Sequence, residues 1–174
     1  MRGNPEGPRQ LGTLEPELRN PALELMAAHE LGHCRRYLDG AWTRLPAGFV
    51  AAKAPESLAA DLRQAWLDMR STRREEGYGD LVGLAWTQAR HPELYARLHA
   101  WLVAERSADL VPGSHHDTLG WLALSVDPAA FDGRPMFEAA ARVWAQGLKD
   151  SVRSRSGTAA NTSSLLKGLA STGC

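Results

Sequence analysis

The sequence predicts a mainly α-helical fold in a single domain. Most of the chain divides into stretches where apolar residues recur every three or four positions, with proline or glycine between them. Strand-like patterns are almost absent, and the best candidate is one short apolar piece, Phe49-Val50-Ala51-Ala52. A chain of 174 residues with two cysteines is long enough to bury a core without disulfides. We therefore expect helices and at most a small vestigial β element.

The two ends of the chain are predicted to lie outside this domain. Residues 1–19 contain glycines and three prolines, which favours an extended N-terminal arm. Residues 151–174 are mostly Ser, Thr, Gly, Ala and Arg, a composition typical of a disordered tail. The folded domain is therefore expected to span residues 20–150.

The first predicted helix runs from Pro21 to Asp39. Asn20 suits the N-cap, proline suits the first helical position, and Gly40 suits the residue after the C-terminus. At 100° per residue, five residues form one apolar stripe that we expect to face the core: Leu23, Ala27, Leu31, Cys34 and Leu38.

The same periodicity predicts the remaining helices. They are expected after Ser57 (with a stripe of Leu58, Leu62, Ala65, Trp66 and Met69), around Leu81, after Pro92, from Asp117 or Thr118 to about Val126, and from about Pro135 to Asp150.

Charge and composition restrict the possible partners. Lys+Arg and Asp+Glu are both 20, so no net field steers the chain to nucleic acid or to an anionic membrane. The first ten residues lack the apolar core of a signal peptide, and no apolar run approaches the length of a membrane span. We therefore expect a cytoplasmic protein, and the richness in Ala, Arg, Leu and Trp is typical of a GC-rich bacterial genome.

The first predicted helix carries the motif His29-Glu30-Leu31-Gly32-His33, which is HExxH. Two histidines four residues apart project from the same face of a helix and can bind one cation. Glu30 lies next to the first histidine and could take a proton from a water in the open position of the metal. The alternative is two solvent-facing histidines beside a helical glutamate.

A catalytic zinc needs a third protein ligand, and Glu76 is the best candidate. Asp80 follows four residues later, so on a helix both carboxylates face the same way, and Asp80 could accept the second N–H of a ligand histidine. Glu75, Asp80 or a later histidine are the substitutes for Glu76. Two glycines, at 77 and 79, disfavour a helix here, so the alternative is a charged turn over residues 73–77.

HELGH followed by Glu76-Gly77-Tyr78-Gly79-Asp80 resembles the gluzincin metallopeptidases, which combine HExxH with Glu-x-x-x-Asp. The resemblance implies a zincin-like catalytic domain in which His29, His33 and Glu76 bind Zn²⁺. It further implies that Glu30 is the general base, that Asp80 orients a ligand histidine, and that the substrate is a peptide or protein.

The resemblance also assigns a role to the pair His115-His116, and the sequence departs from the gluzincin pattern in two respects. Some gluzincins use a downstream histidine to stabilise the oxyanion, so His116 or His115 is comparable with it. Arg35 stands where the extended zincin signature prefers an apolar residue, and the substrate-binding sheet edge of gluzincins has almost no counterpart in this sequence.

Two other functions remain open at the level of sequence. One is an HD-type phosphohydrolase that binds metal through His116-Asp117 together with His33 and another aspartate. The other is a regulator or adaptor that keeps the zincin-like helix as a scaffold. The sequence leaves open the oligomeric state and the identity of the substrate.

Overall fold

The computed structural model describes residues 11–12, 14–40, 59–108, 110–111 and 114–148. The described residues are mainly helical and contain no strand, which confirms the predicted fold class. The candidate strand at 49–52 and the predicted tail at 151–174 lie outside them. The elements are α1 (Pro16–Asp39), α2 (Ala60–Arg90), a 3₁₀ turn (Pro92–Leu94), α3 (Tyr95–Ser107), α4 (Leu119–Ala123), a second 3₁₀ turn (Pro128–Phe131) and α5 (136–148).

Helix α1 begins five residues earlier than the sequence predicts. Pro16 occupies its first turn, and the predicted start at Pro21 lies inside the helix. Leu14 and Leu18 are buried in the core, and the Arg19 side chain donates a hydrogen bond to the Leu14 carbonyl. These contacts hold this segment against the domain, so the predicted arm is wrong for the last residues of 1–19. The predicted C-terminus is correct, since Gly40 adopts a left-handed conformation with φ of 61°.

Helix α2 is continuous through the region where the sequence allowed a charged turn. It runs for 31 residues, so the predicted helices after Ser57 and around Leu81 are one element. Gly77 and Gly79 lie in its interior, and the alternative of a turn over 73–77 is therefore wrong. A glycine costs about 1 kcal/mol in a helix interior relative to alanine. The packing of α1 against α2 explains why glycines are present.

Helices α1 and α2 make the most extensive contact in the fold, and glycines allow them to approach closely. A Cβ atom added to Gly32 would lie 3.1 Å from the Cα of Gly79. A Cβ added to Gly83 would lie 2.8 Å from the Leu25 carbonyl oxygen, a backbone atom that cannot move alone. The helices therefore cross at a distance that larger residues at these positions would not permit.

The buried face of α1 differs from the predicted one. Leu23, Leu31 and Leu38 of the predicted stripe are 48%, 51% and 80% exposed, and Cys34 is also exposed. The buried side chains of α1 are Leu18, Pro21, Ala22, Leu25, Ala28, His29, Gly32 and Arg36. Small and polar residues line this face because it packs on α2 at close range and because its polar groups find buried partners there. Hydropathy alone cannot detect such a face.

The first half of α2 also exposes its predicted stripe. Leu62 and Met69 are 54% and 44% exposed, and Ala65 is exposed as well. The second half of α2 is buried on nearly all sides, from Arg73 to Ala85. These residues of the stripe therefore lie at the surface, and the core forms around the second half of α2.

The remaining helices cover the side of α2 that α1 leaves open. The ring of Trp121 in α4 lies against Gly77, where an added Cβ would be 2.6 Å from the ring. Trp121 donates its indole N–H to the Trp144 carbonyl in α5, and Trp144 donates its own to the Arg74 carbonyl in α2. The hydrophobic core also includes Leu81, Val82, Leu84, Tyr95, Leu98, Leu102, Leu122, Phe131 and Val143.

A network of buried charged side chains joins the C-terminal end of α1 to α2. The Glu75 carboxylate is fully buried and accepts from the guanidinium groups of Arg36 (2.7 Å) and Arg74 (2.8 Å). The Arg36 guanidinium also lies 4.6 Å from the ring centroid of Trp144. Removing one partner from such a network leaves an uncompensated buried charge.

No helix among the described residues combines the length and the apolar character needed to cross a membrane.

The close crossing of α1 and α2 gives a stability prediction for Gly83→Ala. The new methyl group would press on the Leu25 carbonyl, which should lower the free energy of unfolding by about 1–3 kcal/mol. Chemical denaturation monitored by far-UV circular dichroism measures this change. Gly12→Ala is the matched control, since nothing lies within 4 Å of its added methyl group. Equal stability of the two variants would contradict a packing limit at Gly83.

Candidate metal centre

The crossing of α1 and α2 brings together the three side chains that the motif spacing predicts as ligands. His29 and His33 lie one turn apart on α1, and Glu76 faces them from α2. His29 is buried, whereas His33 and Glu76 are partly exposed. The group is therefore buried at His29 and accessible to solvent at His33 and Glu76.

The distances within this group fit one small divalent cation. The two imidazole Nε2 atoms are 2.9 Å apart. Glu76 Oε2 lies 3.5 Å from Nε2 of His29, and Oε1 lies 3.4 Å from Nε2 of His33. Ligand atoms about 2.1 Å from a tetrahedral zinc ion are about 3.4 Å apart, which matches the two separations between histidine and glutamate and is longer than the separation of the two Nε2 atoms. Among the described residues, no other group of three His, Cys, Asp or Glu side chains has its ligand atoms within 4.8 Å of one another.

Asp80 orients the first histidine of the pair. Its Oδ1 lies 3.0 Å from Nδ1 of His29, and the carboxylate is fully buried. Because an ionised carboxylate only accepts hydrogen bonds, the His29 Nδ1 must carry a proton and donate it. The Nε2 lone pair of a neutral His29 then faces His33 and Glu76, which is the tautomer that a metal ligand requires.

The sequence did not reveal the two other groups that bind Asp80. Arg106 of α3 donates from Nη2 to Oδ1 (2.6 Å) and from Nε to Oδ2 (3.0 Å). The hydroxyl of Thr118, just before α4, donates to Oδ2 (2.6 Å). With His29, four donor atoms occupy the two carboxylate oxygens. Asp80 is therefore held from three separate parts of the fold.

Arg106 also places a positive charge between the two carboxylates. Its Nη2 lies 3.3 Å from Oε2 of Glu76, in addition to its bonds to Asp80. Burial would raise the pKa of Glu76 and of Asp80, but hydrogen bonds with His29 and the charge of Arg106 outweigh it, and both pKa values fall far below their usual range. Both carboxylates are therefore ionised at neutral pH.

A periodic signal could have identified Arg106. It lies four residues after Leu102 and eight after Leu98, so it continues the buried face of α3. A charged residue on such a face needs a buried partner of opposite charge. Thr118 gives a weaker signal, because its position before a helix has an ordinary explanation as an N-cap. In the structure its side chain makes no capping bond.

Gly79 allows the His29 ring to reach this position. A Cβ at residue 79 would lie 2.8 Å from the Cε1 and Nδ1 atoms of that ring. The glycine lies between Glu76 and Asp80 on α2, so the imidazole fits against the backbone between the two carboxylates. Close packing of the His29 ring therefore explains why a glycine directly precedes Asp80.

Glu75, which the sequence left open as the third ligand, has a different role. Its carboxylate is buried between Arg36 and Arg74 and is absent from the group formed with the histidines. Asp80 likewise contacts His29 through Nδ1, on the opposite side of the ring from Nε2. Of the acidic residues considered, Glu76 is the one that the structure places beside both Nε2 atoms.

Glu30 and His116 are both exposed. Glu30 directly follows His29 on α1. Burial and the positive charge of Arg106 lower the pKa of His116, and the charges of Glu76 and Asp80 oppose this change. The charges of Arg106, Glu76 and Asp80 therefore act on His116, and the lowered pKa keeps its imidazole mostly neutral at pH 7. The ring of His115 lies against it, with centroids 3.9 Å apart.

The segment that contains His116 is fixed to α2 on its C-terminal side. Arg73 of α2 donates to the Asp117 carbonyl and pairs with its carboxylate at 3.4 Å. The next residue, Thr118, binds Asp80. Asp117 pairs with Arg73, and among the described residues neither Asp117 nor His116 belongs to the group formed by His29, His33 and Glu76.

Comparison of the chain with protein-family models, with curated proteins and with solved structures gives no match.

The metal-free protein should lose stability as the pH rises from about 6.5 to about 9. Burial lowers the pKa of His29, but the Asp80 and Glu76 carboxylates outweigh it and raise that pKa to about 9. A pKa raised by folding adds stability below the unfolded value of about 6.5, and this contribution disappears as the pH passes the folded value. The loss should be about 3 kcal/mol, measured by urea denaturation of chelator-treated protein.

Two controls isolate His29 in this measurement. His29→Gln has no titrating ring at this position, so its stability should change little over the same range. Saturating zinc should reverse the trend in the wild type, because the metal needs the deprotonated imidazole and binds more tightly at higher pH. Stability of the metal-free protein that stays constant or rises between pH 6.5 and pH 9 would contradict the charged state assigned to His29.

Proposed function

We propose that the chain is a zinc-dependent hydrolase that cleaves peptide bonds, with His29, His33 and Glu76 as the metal ligands. The observation that carries this proposal is the convergence of two Nε2 atoms and one carboxylate within reach of a single ion. Two histidines and one glutamate form a ligand set known from catalytic zinc sites, where the fourth position is open to water or substrate. Partial exposure of His33 and Glu76 supports such an open position.

The hydrogen bond between Asp80 and His29 gives independent support. When His29 is neutral, this bond selects the Nδ1–H tautomer, so that Nε2 can bind a metal. A carboxylate behind a histidine is the usual arrangement around protein-bound zinc. A histidine that served only to pack the core would not need both a buried carboxylate on one nitrogen and two further ligand-type atoms around the other.

The chain's own residues supply the remaining catalytic groups. Zinc in this site would polarise the substrate carbonyl and lower the pKa of a water molecule to near neutrality. Glu30, which follows His29, takes the proton from the attacking water and passes it to the leaving amine. A structural metal site has no need of this glutamate, so its presence favours catalysis over a purely structural role.

His116 is proposed to stabilise the oxyanion that forms on the substrate. It responds to the charges of Arg106, Glu76 and Asp80, so it lies within electrostatic range of the site. A neutral imidazole can donate one N–H to a developing negative charge. His115 lies beside it and is the alternative donor.

Glu30→Gln tests the proposed chemistry. The variant should keep zinc with unchanged stoichiometry and should lose peptide hydrolysis by a factor of about 10²–10⁴, the usual contribution of a general base. The substrate is a broad peptide library, assayed by mass spectrometry, with wild-type protein that has been stripped with chelator and reloaded with zinc. Activity should disappear with the chelator and return with zinc.

Glu17→Gln is the matched control, since Glu17 is an exposed glutamate on the same helix that pairs with Arg97, away from the ligand group. Its activity should equal that of the wild type. Full activity of Glu30→Gln would remove Glu30 as the base. One bound zinc in a wild type that cleaves none of the library would contradict the peptidase and favour a non-catalytic adaptor instead.

A further inference from the structure

We propose that Arg106 and Thr118 are positioning residues of the metal centre, and that they act on His29 through Asp80. Neither belongs to a sequence motif, and neither lies among the ligand atoms. This inference rests on the proposed metal site, and it adds a function for two side chains from the other half of the domain.

The hydrogen bonds of Asp80 determine its orientation completely. Oδ1 accepts from Nδ1 of His29 and from Nη2 of Arg106, and Oδ2 accepts from Nε of Arg106 and from the Thr118 hydroxyl. The two-point bond of a guanidinium fixes the plane of a carboxylate, because both groups are planar. With that plane fixed, Oδ1 is the atom that faces the imidazole.

Thr118 prevents the carboxylate from rotating about the bond that joins it to the rest of Asp80. Its hydroxyl is buried, and it bonds to the oxygen that does not face His29. The ordinary role of a threonine before a helix is to cap the first turn, yet this side chain makes no capping bond. Its hydroxyl is used on Asp80 instead, which indicates a role beyond the local fold.

Packing brings Thr118 to Asp80. Residues 73, 77 and 80 lie on one face of α2, and they contact Asp117, Trp121 and Thr118, respectively. This series of contacts sets the position of the segment before α4 along α2. The position of the ligand histidine therefore depends on α3 and α4 as well as on the two helices that carry the ligands.

The test is a double-mutant cycle on zinc affinity, measured by competition with a chromophoric chelator on the full chain. Thr118→Val keeps the shape and removes the hydroxyl, and it should weaken zinc binding about tenfold, as losses around ligand histidines do. Arg106→Lys keeps the charge but removes the two-point bond, and it should weaken binding to a similar degree. Thr118→Ser restores a hydroxyl and should bind zinc like the wild type.

The cycle distinguishes action through Asp80 from a general loss of structure. In an Asp80→Ala background, Thr118→Val should change zinc affinity by less than about twofold, because the group through which it acts is missing. Thr87→Val is the matched control. Thr87 lies on α2 and is fully buried, as Thr118 is, but its hydroxyl donates to the Gly83 carbonyl within the helix. It should leave zinc affinity unchanged. Thermal unfolding of each variant identifies any that fail to fold.

A second readout does not require zinc to bind. In the metal-free protein, the Nδ1 proton of His29 should exchange slowly with solvent, as measured by NMR, and it should exchange faster in Thr118→Val and in Arg106→Lys. Unchanged exchange in both variants, or an equal loss of zinc affinity with and without Asp80, would overturn the proposal. If the wild type binds no zinc, the proposed function fails, and the exchange rates still decide whether Arg106 and Thr118 hold His29.

Discussion

The crossing of α1 and α2 is the constraint on which the site depends. Gly32 and Gly79 let the two backbones approach, and the absence of a side chain at 79 leaves room for the His29 ring. Closer packing than ordinary side chains allow is what brings an imidazole pair on one helix against a carboxylate on the other. The helix-propensity cost of these glycines, about 1 kcal/mol each, is thus offset by a contact that no larger residue could make.

Two groups of buried or partly buried charged side chains lie at the interface between α1 and α2 in the described part of the chain. In one, Glu75 lies between Arg36 and Arg74. In the other, Arg106 lies between Asp80 and Glu76. The two groups differ in composition and in access to solvent. The first is closed and contains only oppositely charged partners, whereas the second includes two imidazoles and is partly exposed, which are properties of a binding site.

The sequence predicted the helical class, the C-terminus of α1 and the three side chains that the structure brings together, because short spacings on a helix translate directly into geometry. It failed where burial depends on distant partners. The stripe that includes Leu31 and Leu38 was predicted to face the core, yet the core face is the one with His29 and Arg36, whose polarity is compensated by Asp80 and Glu75. No local pattern reports such pairs, and for the same reason the bonds from Arg106 and Thr118 to Asp80 were missed.

Zinc K-edge X-ray absorption of the full chain loaded with one equivalent of zinc would identify the ligands of the bound ion. We expect scattering from two imidazole rings and from oxygen ligands at about 2.0–2.1 Å, with no sulfur. His29→Ala and His33→Ala should each remove one imidazole from the spectrum. A sulfur shell at about 2.3 Å, or a spectrum with fewer than two imidazoles in the wild type, would contradict the assignment of His29, His33 and Glu76 as the ligands.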